Sequence, residues 1–133
     1  MQLDYINTGC CVYKLGDSLK EQTKNIPSGH GVYRIYANSL DGQILYIGTS
    51  GRINQDGSYP KQDLKGRLNN KQGGIKREEF FISKIKEDKT IKQIVIEWFI
   101  VDTKVLLPTF CEATLIQDYF SQHSCLPKWN AQY

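Results

Sequence analysis

The sequence predicts an α+β fold in which helices flank a small three-stranded antiparallel sheet. Two runs rich in valine, isoleucine and tyrosine, at residues 31–37 and 44–50, enclose an Asp-Gly pair that is a strong hairpin signal. A third run, at residues 92–102, is long and β-branched, as expected of a central strand. Two helical segments precede this run and one follows it, so the predicted order is β-β-α-α-β-α.

Length and composition predict a single domain. The 133 residues suit one hydrophobic core, and 40% hydrophobic with 23% charged residues is ordinary for a globular protein. The turn residues 27–29 separate an N-terminal extension, residues 1–28, from a main domain, residues 29–133. We expect the extension to pack on that domain through a small strand at 11–15 and a short helix at 18–24.

Local signals place the helices of the main domain. The spacing of apolar residues predicts three helices in this domain, over residues 63–71, 77–88 and 110–121. The first of these ends before Gly73 and Gly74, and Pro108 precedes the last. Residues 51–62 are polar and rich in turn formers, which predicts an exposed loop.

The sequence carries no signal for secretion, for a membrane span or for a metal cluster. The longest apolar run, residues 94–101, is interrupted by Glu97, and the first ten residues lack the pattern of a signal peptide. We therefore expect a cytoplasmic protein without a membrane partner. The four cysteines form no CxxC pair, so we expect buried free thiols rather than a zinc site or a disulfide framework.

Positive charge is concentrated in one segment. The whole chain has a formal net charge of +3, but residues 60–92 hold ten basic and five acidic side chains, and the rest of the chain is net negative. This segment would meet a polyanion first. An ordinary pair of solvated helices explains the same charges.

Glu112 is the sharpest single feature of the sequence. On a helical projection it falls near the middle of the apolar face of the last predicted helix, where a lone carboxylate is costly unless a cation or a hydrogen-bond donor meets it. Thr109 and Glu112 also fit a T-x-x-E capping box, in which the glutamate bonds a backbone N–H. The two interpretations are compatible, because a glutamate in a first helical turn can also hold a metal.

The hairpin places two tyrosines at related positions. A turn centred on Asp41 and Gly42 would put Tyr33 and Tyr46 on one side of the sheet, whereas a slip by one residue would separate them. Tyr33 belongs to the tripeptide GVY and Tyr46 to the tripeptide YIG, and twelve residues separate the two tripeptides.

These tripeptides resemble the signature of the GIY-YIG nuclease family. Three further landmarks follow in the family's order: an arginine on a helix, Arg67 in LKGRL; a glutamate early in a later helix, Glu112 in FCEATL; and an asparagine near the end, Asn130 in KWN. The resemblance covers about residues 29–130. It implies a GIY-YIG-like fold and hydrolysis of DNA phosphodiester bonds with a divalent metal, Mg²⁺ or Mn²⁺.

The resemblance also implies a role for each landmark. Glu112 would hold the metal, since Mg²⁺ often needs only one or two protein carboxylates. Arg67 would bind the scissile phosphate. Tyr33 would orient the attacking water or act as general base, with Tyr46 supporting it, although a phenol of pKa about 10 needs cationic help. Asn130 would fix the tail against the site.

Other residues have supporting roles under the same interpretation. Gly31 and Gly48 would allow close approach of backbone and substrate. Basic residues of the loop and helices would contact DNA: Arg52, Lys61, Lys65, Lys76 and Arg77.

The chain also departs from the family pattern, because Thr49 stands where many members have a lysine and Lys71 where others have a histidine. We take Lys71 as the candidate that assists the base, and Arg52 as a weaker one. Specificity would come from the extension, the 51–62 loop, dimerisation or a partner protein.

Each feature has a simpler explanation when it is taken alone. Tyrosines are common in sheets, and an arginine can lie over apolar neighbours with its charge in water. A nucleic-acid-binding module without cleavage activity is therefore the main alternative, and a protein-interaction domain is the third. Neither alternative calls for a carboxylate beside an anionic phosphate.

Overall fold

The computed structural model describes residues 3–72 and 74–133, which form an α+β fold. Within these residues it contains ten elements, in chain order: β1 (Asn7–Tyr13), α1 (Leu19–Gln22), β2 (Gly31–Ala37), β3 (Ile44–Thr49), α2 (Leu64–Leu68), β4 (Lys71–Gln72), β5 (Ile75–Lys76), α3 (Arg77–Glu87), β6 (Ile94–Ile100) and α4 (Pro108–His123). The predicted class is therefore confirmed, and the number of strands differs.

The main sheet has four antiparallel strands in the order β1-β6-β2-β3, not the three that were predicted. The additional strand comes from the N-terminal extension and pairs along its whole length with β6. Its sequence, NTGCCVY, has little β-propensity in its first half, so its extended form depends on the partner strand. The prediction of a central third strand is confirmed, because β6 lies between β1 and β2.

The hairpin has the register that the turn signal predicted. Tyr33 is opposite Gly48 and Ile35 is opposite Tyr46, so both tyrosines lie on one side of the sheet. At the turn, the Gly42 N–H donates to the Ser39 carbonyl at 2.8 Å. A Cβ at position 42 would lie 1.9 Å from the Ala37 carbonyl oxygen, so the tight turn requires glycine there.

Two helix boundaries differ from the prediction. Helix α2 ends at Leu68, because a small β4–β5 hairpin follows it; Gly73, which was expected to end the helix, lies outside the described residues. Helix α4 begins at Pro108 with Leu107 as its N-cap, and no side chain caps it. The prediction of a capping box formed by Thr109 and Glu112 is thus wrong, and Glu112 instead lines a pocket.

The sheet is covered on both faces. Helices α1, α2 and α3 pack on one face, where the larger core includes Leu19, Leu64, Phe81, Ile96 and Trp98. Helix α4 packs on the other face, with Cys111 against Val32 and Phe99 and with Ile116 against Ile47. At the carboxyl end of β3, helix α2 from one face of the sheet and helix α4 from the other therefore come close to the same loop.

All four cysteines are free thiols, as expected, but only Cys111 is buried, whereas Cys10 and Cys125 are exposed. In the part of the chain that the structure describes, no helix is long and apolar enough to cross a membrane.

Candidate functional site

A polar pocket of about 950 Å³ opens where β3 ends. The loop after β3, helix α2, the first turns of α4 and the last residues of the chain contribute to its wall, and three predicted site residues, Arg52, Arg67 and Glu112, line it together. The three residues are distant in sequence. Arg67 on α2 and Glu112 on α4 reach the same cavity from opposite faces of the sheet.

Glu112 is half-buried in this pocket. Burial raises the pKa of its carboxyl group to about 7, against the opposing effects of the Arg67 and Arg52 charges and of a hydrogen bond from Tyr133. The carboxyl group therefore changes its charge close to neutral pH. Such a group responds strongly to any additional cation or anion that enters the pocket.

Arg67 connects the pocket with the tyrosines of the hairpin. Its side chain is exposed at the end of α2, a short helix whose N-cap, Asp63, accepts a hydrogen bond from the Gly66 N–H at 3.0 Å. The buried residues Leu64 and Leu68 attach this helix to the core. The charge of Arg67 acts both on the Glu112 carboxyl group and on the Tyr33 phenol, so it is within electrostatic reach of both.

The two hairpin tyrosines are together, but they do not line the pocket. Their ring centroids are 5.8 Å apart, and Tyr46 is half-buried whereas Tyr33 is 1% exposed. A Cβ at position 48 would lie 2.7 Å from the Tyr33 ring, so Gly48 provides the space for this ring. The close approach at Gly48 thus serves a side chain of the protein.

Tyr33 does not fit the expected role of a solvent-facing base. Burial is the main cause that raises the pKa of its phenol far above the ordinary value, although the charges of Arg77 and Arg67 lower it in part. A phenol that is buried and held neutral cannot take a proton from water easily. Tyr46 is the member of the pair with accessible surface.

Arg77 was predicted to contact DNA from the surface, but it is buried in the core. Its side chain is 2% exposed, and its Nη1 donates to the Tyr33 hydroxyl oxygen at 2.6 Å. Its guanidinium carbon lies 5.9 Å from the ring centroids of both Tyr33 and Tyr46. The sequence contained the signal for this, because positions 77, 81 and 85 are four apart and face the core together.

Asn130 holds the tail on the outer edge of the sheet. Its side-chain oxygen accepts from the Ile47 N–H and its Nδ2 donates to the Ile47 carbonyl, both at 3.0 Å. The Trp129 N–H adds a bond of 2.8 Å to the Leu45 carbonyl. Asn130 therefore positions the chain that leads to Tyr133, as expected, and its amide is engaged with backbone rather than directed to a substrate.

The remaining predicted residues are distributed around the site. Lys71 is exposed in β4 and is not among the groups whose charges act on Tyr33, so its expected role as assistant of the base has no support in the geometry. Lys61 and Lys76 are exposed, and the Lys65 Nζ donates to the Lys24 carbonyl at 3.3 Å. Gly31 allows close strand packing, since a Cβ there would lie 1.9 Å from the Phe99 carbonyl oxygen.

The donor set of the pocket fits an open magnesium site. No group of three or more histidine, cysteine or acidic side chains that could hold a metal occurs among residues 3–72 and 74–133. Glu112 is instead a single carboxylate in a polar pocket, with the Thr109 and Tyr133 side chains nearby. Mg²⁺ often binds one protein carboxylate together with water and phosphate oxygens, so a phosphate held by the two arginines would complete such a site.

No protein-family model matches the chain, and comparison with curated proteins and with solved structures found no match either.

Proposed function

We propose that this protein is a metal-dependent DNA endonuclease that hydrolyses phosphodiester bonds in the pocket at the end of β3. The observation that supports this most strongly is the meeting of two arginines and one perturbed carboxyl group in one cavity, where the charge of Arg67 also acts on the Tyr33 phenol. Guanidinium groups bind phosphate through parallel N–H bonds. A carboxylate beside them opposes phosphate binding unless a cation mediates the contact.

Each side chain has a part in the proposed reaction. Arg67 and Arg52 bind the non-bridging oxygens of the scissile phosphate and stabilise the negative charge that develops there. Glu112 and phosphate oxygens would hold Mg²⁺ or Mn²⁺, which when bound supplies positive charge for the departing 3′ oxygen. Asn130 keeps the end of the chain, and with it the Tyr133 wall of the pocket, attached to β3.

Tyr46 replaces Tyr33 as the phenol that faces water in this proposal. As the water oxygen bonds to phosphorus and the bond to the 3′ oxygen breaks, Tyr46 orients the water through a hydrogen bond, the water releases its proton to solvent, and solvent protonates the 3′ oxygen. Tyr33 stays behind Tyr46 in the core and supports it.

A DNA-binding module that does not cleave is the second candidate. The hydrogen bond from Tyr133 to the Glu112 carboxyl group favours it, because this contact engages the carboxylate that a metal would need. Basic side chains around the pocket would still attract DNA in this case.

Incubation of purified protein with supercoiled and with branched DNA tests the proposal, with Mg²⁺ or Mn²⁺ and with EDTA. We expect metal-dependent nicking that Glu112→Gln and Arg67→Gln each reduce at least 100-fold, while Glu112→Gln binds DNA as tightly as the wild type. Lys86→Gln, an exposed charge change on α3, serves as the control and should cleave normally.

The outcomes separate the candidates. Intact DNA in every metal condition, together with a clear gel shift, would reject cleavage and support the binding module. A protein that neither cleaves nor shifts DNA would reject both.

A further inference from the structure

The buried guanidinium of Arg77 is the least expected feature of the core. A guanidinium keeps its charge at any physiological pH, and the desolvation of such a charge is costly unless other groups compensate it. Among the described residues no ion pair includes Arg77, and its Nε has no hydrogen-bond partner. Within the described part of the chain, the tyrosine pair contributes one short hydrogen bond and two ring faces that compensate this charge.

The hydrogen bond fixes the direction of the Tyr33 hydroxyl group. Because Nη1 of Arg77 donates to the Tyr33 oxygen, the single proton of this hydroxyl has to point to another acceptor. Hydrogen bonding with Tyr46 is one of the causes that raise the pKa of Tyr33, as expected when Tyr33 is the donor to Tyr46. The order Arg77, Tyr33, Tyr46 is therefore a chain of donors that leads from the core towards the accessible phenol.

We propose that Arg77 is a positioning residue for Tyr46 and acts on it through Tyr33. The buried Arg77 cation would then assist the phenol, a role for which the family pattern has a lysine or a histidine. The proposal rests on the proposed function for its catalytic meaning, but the relay itself exists with or without cleavage. Donor chains polarise one another, so a cation at the inner end strengthens the hydrogen bond that the outer oxygen accepts.

The relay assigns a different effect to Arg77 than a DNA contact would have. A residue that is 2% exposed cannot reach a phosphate without unfolding its surroundings. Loss of the Arg77 charge should therefore lower the rate of the chemical step and leave the affinity for DNA unchanged. A surface contact would do the reverse.

Carbon-13 labelling of the tyrosine Cζ atoms tests the relay without any need for activity. The Cζ chemical shift of Tyr46, assigned with Tyr46→Phe, reports on the charge and hydrogen bonding of its oxygen. We expect Arg77→Met and Tyr33→Phe to move this signal in the same direction, and Arg77→Lys to restore at least half of the Arg77→Met change. Lys86→Met, which removes one exposed charge from the same helix, should leave the signal in place.

Kinetics give the second readout. Arg77→Met should lower kcat for DNA cleavage at least 10-fold, with DNA affinity in EDTA changed less than 2-fold, and Arg77→Lys should retain most of the activity. Should Arg77→Met fail to fold, Arg77→Gln, which keeps hydrogen-bond donors but removes the charge, takes its place with the same expected changes.

Two results would overturn the relay: a Tyr46 signal that responds to Tyr33→Phe but not to a change at Arg77, or a loss of DNA affinity that equals the loss of rate. A wild type that does not cleave but shows the coupled Tyr46 signal would reject the nuclease proposal and leave the relay standing.

Discussion

Glu112 shows how one side chain links the pocket to the stability of the fold. Its pKa is about 7 in the folded chain and about 4.3 in an unfolded one. Between these two values the folded state holds a proton that the unfolded state has released, so the free energy of unfolding falls as pH rises. Above about pH 7 this loss is complete.

A first prediction follows for Glu112→Gln, in which no proton can be lost. Relative to the wild type, this variant should gain on the order of 1–2 kcal/mol of stability between pH 4.5 and pH 8, allowing for solvent screening of a partly buried group. Urea unfolding of both proteins at the two pH values measures this. A stability difference that stays constant with pH would contradict the raised pKa.

Gly48 supports a second prediction at the same scale. Gly48→Ala places a methyl group 2.7 Å from a Tyr33 ring that is buried and bound to Arg77, so the ring cannot move aside without cost. We expect a loss of about 1–3 kcal/mol in the free energy of unfolding. In a Tyr33→Leu background, which lacks the ring, the same change should cost clearly less. Equal losses in both backgrounds would contradict a clash with the Tyr33 ring as the cause.

The family resemblance, and not local chemistry, placed Arg67 and Glu112 in one site. The structure brings both residues to the wall of one pocket. The burial of Tyr33 was not predictable, because it depends on a helix that arrives more than forty residues later with Arg77 facing inwards. Propensity describes a strand position as half-buried, and only packing decides how far it is covered.

At the level of elements, the outer edge of β3 is closed by the chain terminus. Asn130 forms two hydrogen bonds with the backbone of Ile47, as a neighbouring strand would. An open strand edge of this kind otherwise exposes unpaired N–H and C=O groups. The last residues thus help to stabilise the sheet, although they form no strand.

A third prediction concerns this contact. Asn130→Ala removes both bonds and should cost about 1–3 kcal/mol of stability. Asn130→Asp should be no better at pH 7, since it sets a carboxylate oxygen against the Ile47 carbonyl. Chemical denaturation measures both, with Asn25→Ala, at an exposed turn position, as a control that should change little. A silent Asn130→Ala would mean that other contacts hold the tail.

Elements with a clear hydrophobic pattern were predicted well. The bounds of the other elements depend on contacts with neighbouring parts of the fold. Strands β2, β3 and β6 and helices α1, α3 and α4 lie within two residues of their predicted bounds. Strand β1 became long because β6 offers it a full row of partners, and α4 starts early because Pro108 suits a first helical position. The two-residue strands β4 and β5 are too short for a periodic signal.

For the whole molecule, the distribution of charge predicts how DNA affinity depends on salt. Arg52, Arg67 and Lys61 are exposed on or beside the pocket. If they contact phosphates, the logarithm of the binding constant should fall linearly with the logarithm of the salt concentration.

A fourth prediction tests this for a single charge. Lys61→Gln should reduce the slope of the salt dependence by about 1, with the weakening similar for every DNA sequence. Fluorescence anisotropy in EDTA from 50 to 200 mM salt measures it, and Lys86→Gln should leave the slope as it is. Equal slopes for all three proteins would place the DNA elsewhere on the surface.

Gly31 has a consequence for how related chains can be found. Its hydrogen atom fills the only space beneath a neighbouring carbonyl, so any sequence that keeps this strand pairing needs glycine there, whatever its activity. A search by the GVY tripeptide alone would therefore find chains that share this strand pairing, whatever they do.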